Sequence, residues 1–276
     1  VSGVVVSDAA QRIAVSLAGG KNTAIVLGNL AHHHPAASRL HELGLALAAV
    51  VGARFGFLGE AANSVGGFLA GAVPFGAMAG KNAAEMLKKP LKAYLLLGVE
   101  AELDTHDPQQ AVAAMKAAEL VVAMSPYQHN AVDYAHVLLP IAPFTETAGT
   151  FISTEGRVQG FNGVVRPLGE TRPAWKVLRV LGNLLGLAGF DHDSADDVRR
   201  EALGGRSVET MLGNRLKGVR VDAIASVDGA GIQRIAEVPI YAADAIVRRA
   251  HALQRTRDAA PPVAWMNRAL CEKLGL

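Results

Sequence analysis

The stretch that decides the fold is VLLPIAPFTETAGTFISTEGRVQ, residues 137–159. It opens with an apolar run, Val137–Leu139, that has the length of a buried strand and ends at a proline. A strand of this kind delivers Thr145 and Glu146 to the carboxyl edge of a parallel sheet, where open α/β folds place their ligands. Further along, the β-branched residues and glycines of Thr150–Gln159 predict a hairpin or an extended loop.

Outward from this stretch, apolar runs of strand length alternate with segments of helical period. Such alternation requires crossover connections, so it predicts an α/β fold with a mostly parallel sheet and helices on both faces. The predicted elements are a helix from Ser7 to Gly19 and Gly20, strand Thr23–Leu27, helices Ala36–Val51 and Asn82–Lys89, strand Ala93–Leu97, helix Pro108–Ala118, strand Leu120–Met124, the run His136–Leu139, helix Pro173–Leu187 and a short helix ending near Gly204.

The pattern weakens after Gly204, where prolines mark turns at 239, 261 and 262. We therefore expect one α/β domain over residues 1–204 and an irregular C-terminal extension over residues 205–276 that wraps it. Residues 63–80 carry no charge, but glycines and Pro74 interrupt them, so we expect a buried loop or a broken helix there rather than a membrane span.

Composition narrows the classes of function. The 276 residues are 50% hydrophobic, which is enough for a sizeable core. The single cysteine, Cys271, excludes an internal disulfide and any iron–sulfur or zinc site built from four thiolates of this chain. The 27 basic and 25 acidic residues are dispersed, so nucleic acid is not an expected partner. No signal peptide pattern opens the chain, and the first residue, Val1, suggests a piece of a longer protein.

Residues 137–159 closely resemble the signature "VLP…TE..GT..N.EGR.Q" of molybdopterin oxidoreductases and of their relative, the large iron–sulfur subunit of bacterial NADH:quinone oxidoreductase, respiratory complex I. Residues Phe161–Leu187, Val238–Arg249 and Met266–Leu276 also look like the complex I subunit, so the resemblance covers most of the chain. It implies a molybdopterin-oxidoreductase-like fold, truncated here before the family's C-terminal β domain.

Two departures from the molybdenum enzymes point towards the complex I branch. Molybdenum enzymes typically carry a Gly-x-Asn-Pro turn that meets the cofactor after the strand that corresponds to Ala93–Leu97. Here the turn reads Gly98-Val-Glu-Ala101, with Glu102 and Asp104 close behind, and carboxylates repel the phosphates of the cofactor. The family's usual Ala-Asp before the strand Val137–Leu139 is Ala135-His136 here. The resemblance therefore implies that the fold is kept and the metal cofactor is not used.

The candidate site is the loop signature itself, and no catalytic residue or metal ligand is assigned. Gly149 and Gly156 permit tight backbone turns, and Glu155 and Arg157 can fix the loop through a charge-assisted hydrogen bond or order a partner surface. The alternative is that Glu146, Glu155 and Arg157 only fasten an irregular loop to the sheet, and we favour it, with Arg157 bonded to a nearby carboxylate or to backbone carbonyls. The candidates are Thr145, Glu146, Gly149, Thr150, Glu155, Gly156, Arg157 and Gln159.

Other motifs carry less chemistry. His32, His33 and His34 are adjacent, so their side chains point in different directions and cannot all reach one ion. The fingerprint GxGxxG and the P-loop are both absent, which argues against a free-standing NAD-binding enzyme. Cys271 lies near Leu270 and Leu274 on an apolar helical face, where a core residue is expected.

These patterns lead to two hypotheses. The first is a scaffold and interaction fragment that supports electron transfer from NADH to quinone without a redox centre or cofactor of its own. Its iron–sulfur clusters are expected in the missing N-terminal part of the parent subunit. Its partners are then the rest of its parent chain and other subunits of the peripheral arm, in the cytoplasm at the inner face of the plasma membrane, without direct membrane insertion. The alternative is the cofactor-binding domain of a molybdopterin-dependent oxidoreductase.

Overall fold

Short strands alternate with helices in the computed structural model, which describes residues 4–74, 80–213, 232, 235, 238–259, 261 and 263–276. The strands are β1 Ala24–Leu27, β2 Arg54–Phe57, β3 Ala93–Leu97, β4 Leu120–Ser125, β5 Val137–Pro140, β6 Gly149–Ile152 and β7 Val158–Phe161. The helices are α1 Asp8–Gly19, α2 Asn29–His32, α3 Ala37–Val51, α4 Ser64–Leu69, α5 Ala83–Lys88, α6 Pro108–Ala117, α7 Ala174–Leu184, α8 Ala195–Leu203, α9 Val208–Met211, α10 Ala245–Arg248 and α11 Arg268–Leu274.

Close backbone contacts divide the chain into two compact units, each made of two segments. Unit 1 comprises Val1–Ala84 and Ile141–Ile235, and unit 2 comprises Glu85–Pro140 and Ala236–Leu276. This grouping shows which segments pack together and not which of them fold alone. The division into a domain over 1–204 and an extension over 205–276 therefore stays a prediction.

Unit 2 is built on a parallel sheet of three strands in the order β3-β4-β5. In its central strand, β4, Val121, Ala123 and Met124 are each at most 1% exposed, and Ala123 and Met124 are adjacent in sequence. Because successive side chains of a strand point to opposite faces, burial of this kind means that β4 is covered on both faces. The hydrophobic core of unit 2 includes residues of this strand.

Helix α6 joins β3 to β4 and has clear start and stop signals. The carboxylate of Asp107 accepts a hydrogen bond of 3.0 Å from the backbone N–H of Gln110, and Pro108 occupies the first turn, where it costs no hydrogen bond. Three residues at helical spacing, Ala111, Ala114 and Met115, are buried in the core of the sheet. The pattern of the sequence and the packing of the helix thus agree.

Unit 1 holds a parallel pair and an antiparallel hairpin. Strands β1 and β2 pair in parallel through the crossover helix α3. That helix approaches β2 closely at Gly44, where a Cβ atom would lie 2.6 Å from the ring of Phe55. Strands β6 and β7 form the hairpin, with Gly149 opposite Phe161. Helices α4 and α8 pack against β6.

The predicted α/β class is confirmed, with parallel sheets flanked by helices. Strand Ala93–Leu97 forms over the residues expected, and residues 150–159 form a hairpin as predicted. Strand β2 and helix α2 were not predicted. Residues 63–80 contain helix α4, which is half-buried or exposed rather than buried, and residues 75–79 lie outside the described part of the chain.

Membrane insertion was tested on the helices of the described residues. None of them combines the length and the apolar character that a bilayer crossing needs.

The core of unit 2 should be sensitive to loss of volume at Met115, which is 1% exposed. We expect Met115→Ala to lower the free energy of unfolding by about 2–5 kcal/mol. The change removes buried apolar atoms and also leaves a cavity, and both effects destabilise the folded state. Urea denaturation measures this. The neighbouring exposed residue supplies the control, since Lys116→Ala should change stability by no more than about 0.5 kcal/mol; equal effects of the two changes would contradict the assigned core.

Candidate functional site

The turn after β3 places three carboxylates at the carboxyl end of the sheet in unit 2. Gly98 turns the chain with a left-handed φ of 64°, a conformation that favours glycine. The next residues close on themselves: the backbone N–H of Glu100 donates to Asp104 Oδ2 at 2.8 Å, and the backbone N–H of Asp104 donates to the carbonyl of Glu100, also at 2.8 Å. The turn is therefore ordered by its own acidic residues.

Two arginines from α10 and the residue after it bind the buried carboxylate of Glu100. This residue is only 2% exposed. Its Oε1 accepts from Arg249 Nη1 at 2.7 Å and from Arg248 Nη2 at 3.2 Å, and its Oε2 accepts from Arg249 Nη2 at 3.1 Å. A buried charge needs both a counter-charge and satisfied hydrogen bonds, and Glu100 has both.

The arginines are themselves held in place. Arg248 also binds Asp104 Oδ1 at 2.8 Å and the carbonyl of Ala242 at 2.8 Å. The guanidinium of Arg249 lies 4.7 Å from the ring centre of Tyr127, a cation–π contact. The cluster thus fastens residues 242–249 to the ends of β3 and β4 within unit 2.

Electrostatics in this cluster favour the charged forms. Burial on its own raises the pKa of Glu100, but the hydrogen bonds and charges of Arg249 and Arg248 outweigh burial and hold the pKa below its ordinary value. Burial on its own lowers the pKa of Arg248, whereas its bonds to Asp104 and Glu100 leave the pKa raised. Glu100 and Arg248 are therefore both ionised over the physiological pH range.

A second layer of the cluster connects Glu102, Tyr134 and His129. Glu102 Oε2 accepts from the hydroxyl of Tyr134 at 3.0 Å, and burial, followed by the charge of Glu102, raises the pKa of Tyr134. His129 Nδ1 accepts from the backbone N–H of Ala131 at 3.2 Å and lies 3.8 Å from Glu102 Oε1. Potential ligand atoms of Glu100, Glu102 and His129 lie within 4.8 Å of one another. Both oxygens of Glu100 already bind guanidinium groups, however, so this set fits an internal ion-pair network better than a cation site.

Residues 145–159 of the loop signature lie in unit 1 and are held mainly by hydrogen bonds to backbone groups. Thr145 and Glu146 belong to a short 3-10 turn, Phe144–Glu146. The carboxylate of Glu146 accepts from the backbone N–H of Leu168 at 3.0 Å, and the carbonyl of Thr145 accepts from Val164 at 2.7 Å. Glu146 therefore fastens the loop to the segment that contains Leu168.

The hairpin turn carries the remaining signature residues. Gly156 has a left-handed φ of 84°. The backbone N–H of Ser153 donates to the carbonyl of Arg157 at 3.1 Å, and the backbone N–H of Arg157 donates to Ser153 Oγ at 3.2 Å. Arg157 Nη2 lies 3.6 Å from Glu155 Oε2, but the two side chains are 71% and 79% exposed. The pair is thus a surface contact, and a binding role for these residues stays a prediction.

A cavity of about 280 Å³ lies beside the hairpin in unit 1. Gly149 and Thr150 of β6 line it, together with Trp175 of α7 and Val198 of α8. Asn63, before α4, joins its wall to the hairpin, because Asn63 Oδ1 accepts from the backbone N–H of Ile152 at 2.8 Å. The signature thus shapes a mostly apolar cavity, while Gln159 sits on β7 and is exposed.

The three adjacent histidines have separate surroundings. The ring of His32 contacts Phe57 edge-on, His33 Nε2 lies 3.0 Å from Glu60 Oε2, and His34 Nδ1 accepts from Ala36 at 3.0 Å. Cys271, expected in the core, is half-buried on α11. The three imidazoles thus make contacts with three different parts of the described chain.

A family model described as Molybdopterin oxidoreductase matches residues 5–184, which is more than half of the chain. The chain belongs to the molybdopterin oxidoreductase family. It is similar to the Bacillus subtilis (strain 168) protein named Probable oxidoreductase YjgC, with 33% identity over 122 residues that make up 43% of this chain and 12% of that protein. It is also similar to a Staphylococcus aureus (strain USA300) protein named provisionally as a formate dehydrogenase, with 34% identity over 91 residues, 32% of this chain and 9% of that protein. The matched parts thus span only about a tenth of the length of these relatives.

Sequence reasoning identified the acidic turn of this family member but missed its partners. Arg248 and Arg249 lie 148 and 149 residues after Glu100, so no local pattern connects them. The available signal was the segment Val238–Arg249, which resembles the complex I subunit and ends in the two arginines.

Glu100 should give unit 2 a stability that depends on pH. Because its folded-state pKa is lowered, its contribution is complete above the ordinary pKa of a glutamate and is lost as pH falls through the lowered value. We expect Glu100→Gln to cost about 3–5 kcal/mol at neutral pH, since two guanidiniums lose a charged partner, and the difference from wild type should shrink in acid. Urea denaturation over a pH series checks this. A matched control is Glu119→Gln, at the exposed 3.1 Å pair with Lys92, which should cost under about 1 kcal/mol; a Glu100 effect independent of pH would contradict the assignment.

Backbone geometry, not the exposed ion pair, should hold the hairpin turn. A Cβ atom at position 156 would lie 2.5 Å from Leu212 Cδ1. The substituted residue would also have to keep the left-handed φ of 84° that glycine has here. We expect Gly156→Ala to cost about 1–3 kcal/mol and Arg157→Ala to cost less than about 1 kcal/mol. Thermal denaturation of the two variants tests the order, and a larger loss from Arg157→Ala would show that the ion pair holds the loop.

Proposed function

We propose that this molybdopterin oxidoreductase family chain is a scaffold and interaction part of the large iron–sulfur subunit of NADH:quinone oxidoreductase. In this role it supports electron transfer from NADH to quinone and carries no redox centre of its own. The observation on which the proposal rests is the turn after β3, where buried Glu100 binds Arg248 and Arg249.

This turn stands where molybdenum enzymes typically present Gly-x-Asn-Pro to their cofactor. A cofactor with phosphate groups needs donors and positive charge there. The turn instead supplies Glu100, Glu102 and Asp104, and the guanidiniums of Arg248 and Arg249 are already bonded to these carboxylates or stacked on Tyr127. The residues present do not fit an anionic cofactor, because its phosphates would have to displace internal ion pairs and face three carboxylates.

The remainder of the role follows from the parent assembly. One cysteine cannot hold an iron–sulfur cluster, so the clusters are expected elsewhere in the parent subunit. The partners proposed are the rest of the parent chain and other subunits of the peripheral arm. The location proposed is the cytoplasmic face of the plasma membrane, reached through the complex.

The competing function is the cofactor-binding domain of a molybdopterin-dependent oxidoreductase. It is favoured by the names of the two relatives, an oxidoreductase and a provisional formate dehydrogenase. Elemental analysis separates the two functions, because only the second requires molybdenum in the intact protein.

The deciding experiment uses the full-length parent protein purified from its own host with the assembly intact. We expect iron at the level of several clusters, molybdenum only at trace level, and co-migration with NADH:quinone oxidoreductase activity on native gels. A known molybdenum enzyme from the same host, purified in parallel, is the control for metal retention. Stoichiometric molybdenum, or migration apart from all NADH-oxidising activity, would overturn the proposal.

A further inference from the structure

A basic groove lies along α7 in unit 1 and shares Trp175 with the cavity beside the hairpin. We define the α7 groove by Arg172, Trp175, Lys176, Arg179, Val180 and His192, which line a cavity of about 530 Å³. The volume is in the range of ligand and peptide pockets. None of these six residues belongs to the charge cluster of unit 2.

The groove has more positive charge than its own carboxylates can neutralise. Lys176 lies over the ring of Trp175 at 5.3 Å and has no carboxylate partner among the described residues. Arg179 Nη2 is 3.9 Å from Asp193, whose side chain is 93% exposed, so that pair is weak. Within the described part of the chain, Arg172 donates only to the backbone carbonyls of Thr171, at 2.8 Å, and Gly169, at 3.5 Å. Among the described residues, Asp193 is thus the one carboxylate partner of these three cations, and Glu201 is bonded to His192 of the groove at 2.6 Å.

Helix stability does not explain this arrangement. Lys176 stands in the first turn of α7, where the helix dipole disfavours a cation, and that turn contains no acidic residue. A positive charge placed against the dipole suits an external anion rather than the helix itself.

An exposed apolar row continues the groove along the same helix. Lys176, Val180 and Leu184 follow one another at a spacing of four residues and so share a helix face. Val180 is 50% exposed and Leu184 is 80% exposed, and Leu185 and Leu187 just beyond are 64% and 51% exposed. A surface that is basic at one end and apolar at the other suits a ligand that has both acidic and apolar groups, rather than a single phosphate group.

We propose that the α7 groove is the docking site for an acidic, amphipathic segment of a second polypeptide. Carboxylates of that segment face Arg172, Lys176 and Arg179, and its apolar side chains cover Val180 and Leu184. Charge complementarity selects this occupant over a purely apolar one. The identification of the second polypeptide as a neighbouring subunit rests on the proposed function, whereas the chemistry of the segment does not.

Charge reversal tests the basic end in the full-length parent protein within its assembly. The double variant Lys176→Glu with Arg179→Glu should weaken retention of the second polypeptide about ten-fold or more, and rising salt should weaken the wild-type contact in the same way. The matched control is Lys116→Glu with Arg166→Glu, two exposed cations outside the groove, which should leave retention unchanged. Circular dichroism of each purified variant confirms folding. Retention that neither the double variant nor salt alters would overturn the proposal.

Photo-crosslinking identifies the occupant. With p-benzoylphenylalanine in place of Val180, we expect a cross-link to a segment of another polypeptide that is rich in Asp and Glu, and loss of that cross-link in the charge-reversed background. A cross-link to the parent's own chain, or binding of inorganic pyrophosphate to the groove without any cross-link, would overturn the docking site. If the cross-link forms but the assembly lacks NADH:quinone oxidoreductase activity, the proposed function fails and the docking site stands.

Discussion

The bond between Glu100 and the two arginines is the constraint on which unit 2 depends. Taking a carboxylate out of water costs several kcal/mol, and only close, well-directed partners offset that cost. Arg249 approaches it through both of its terminal nitrogens, at 2.7 and 3.1 Å, while Arg248 bridges Glu100 to Asp104. The turn after β3 and the segment around α10 are therefore stable only together. The same bond fixes what the turn can do, because groups that neutralise one another inside the protein are not free for an external anion.

Much of the fold could be predicted because its signals are local. The period of α6, its Asp107 cap and its Pro108 lie within a few residues of one another, and strand β3 is a continuous apolar run. The β6–β7 hairpin followed from glycines and β-branched residues around a turn. Strand β2 was missed because RFGF alternates only weakly and begins with a charged residue. Its parallel partner, β1, is separated from it in the sequence by helix α3, so the pairing is visible only in three dimensions.

The candidate site was predictable only in part, for the same reason. Glu100, Glu102 and Asp104 stand out as carboxylates at a strand end, and their number suggested repulsion of phosphate. The sequence pattern offers no way to see that Glu100 is buried, or that its counter-charges come from residues 248 and 249. In the loop signature, the sequence predicts an ion pair between Glu155 and Arg157. Because both side chains are exposed, this pair contributes little to the free energy of unfolding. Burial decides the weight of a charge, and burial is a property of the whole fold.

The order of the segments along the chain has a consequence for biosynthesis. Unit 2 needs residues 85–140 and 236–276, and the ion pairs of Glu100 span 148 and 149 residues. At translation rates of about 5–20 residues per second, synthesis of the two arginines follows that of Glu100 by roughly 7–30 seconds. During that interval the carboxylate of Glu100 must remain hydrated, so the end of β3 stays open while β3, β4 and β5 can already pair. Desolvation of Glu100 is thus a late step in the folding of unit 2, and its timing depends on the synthesis of residues 248 and 249.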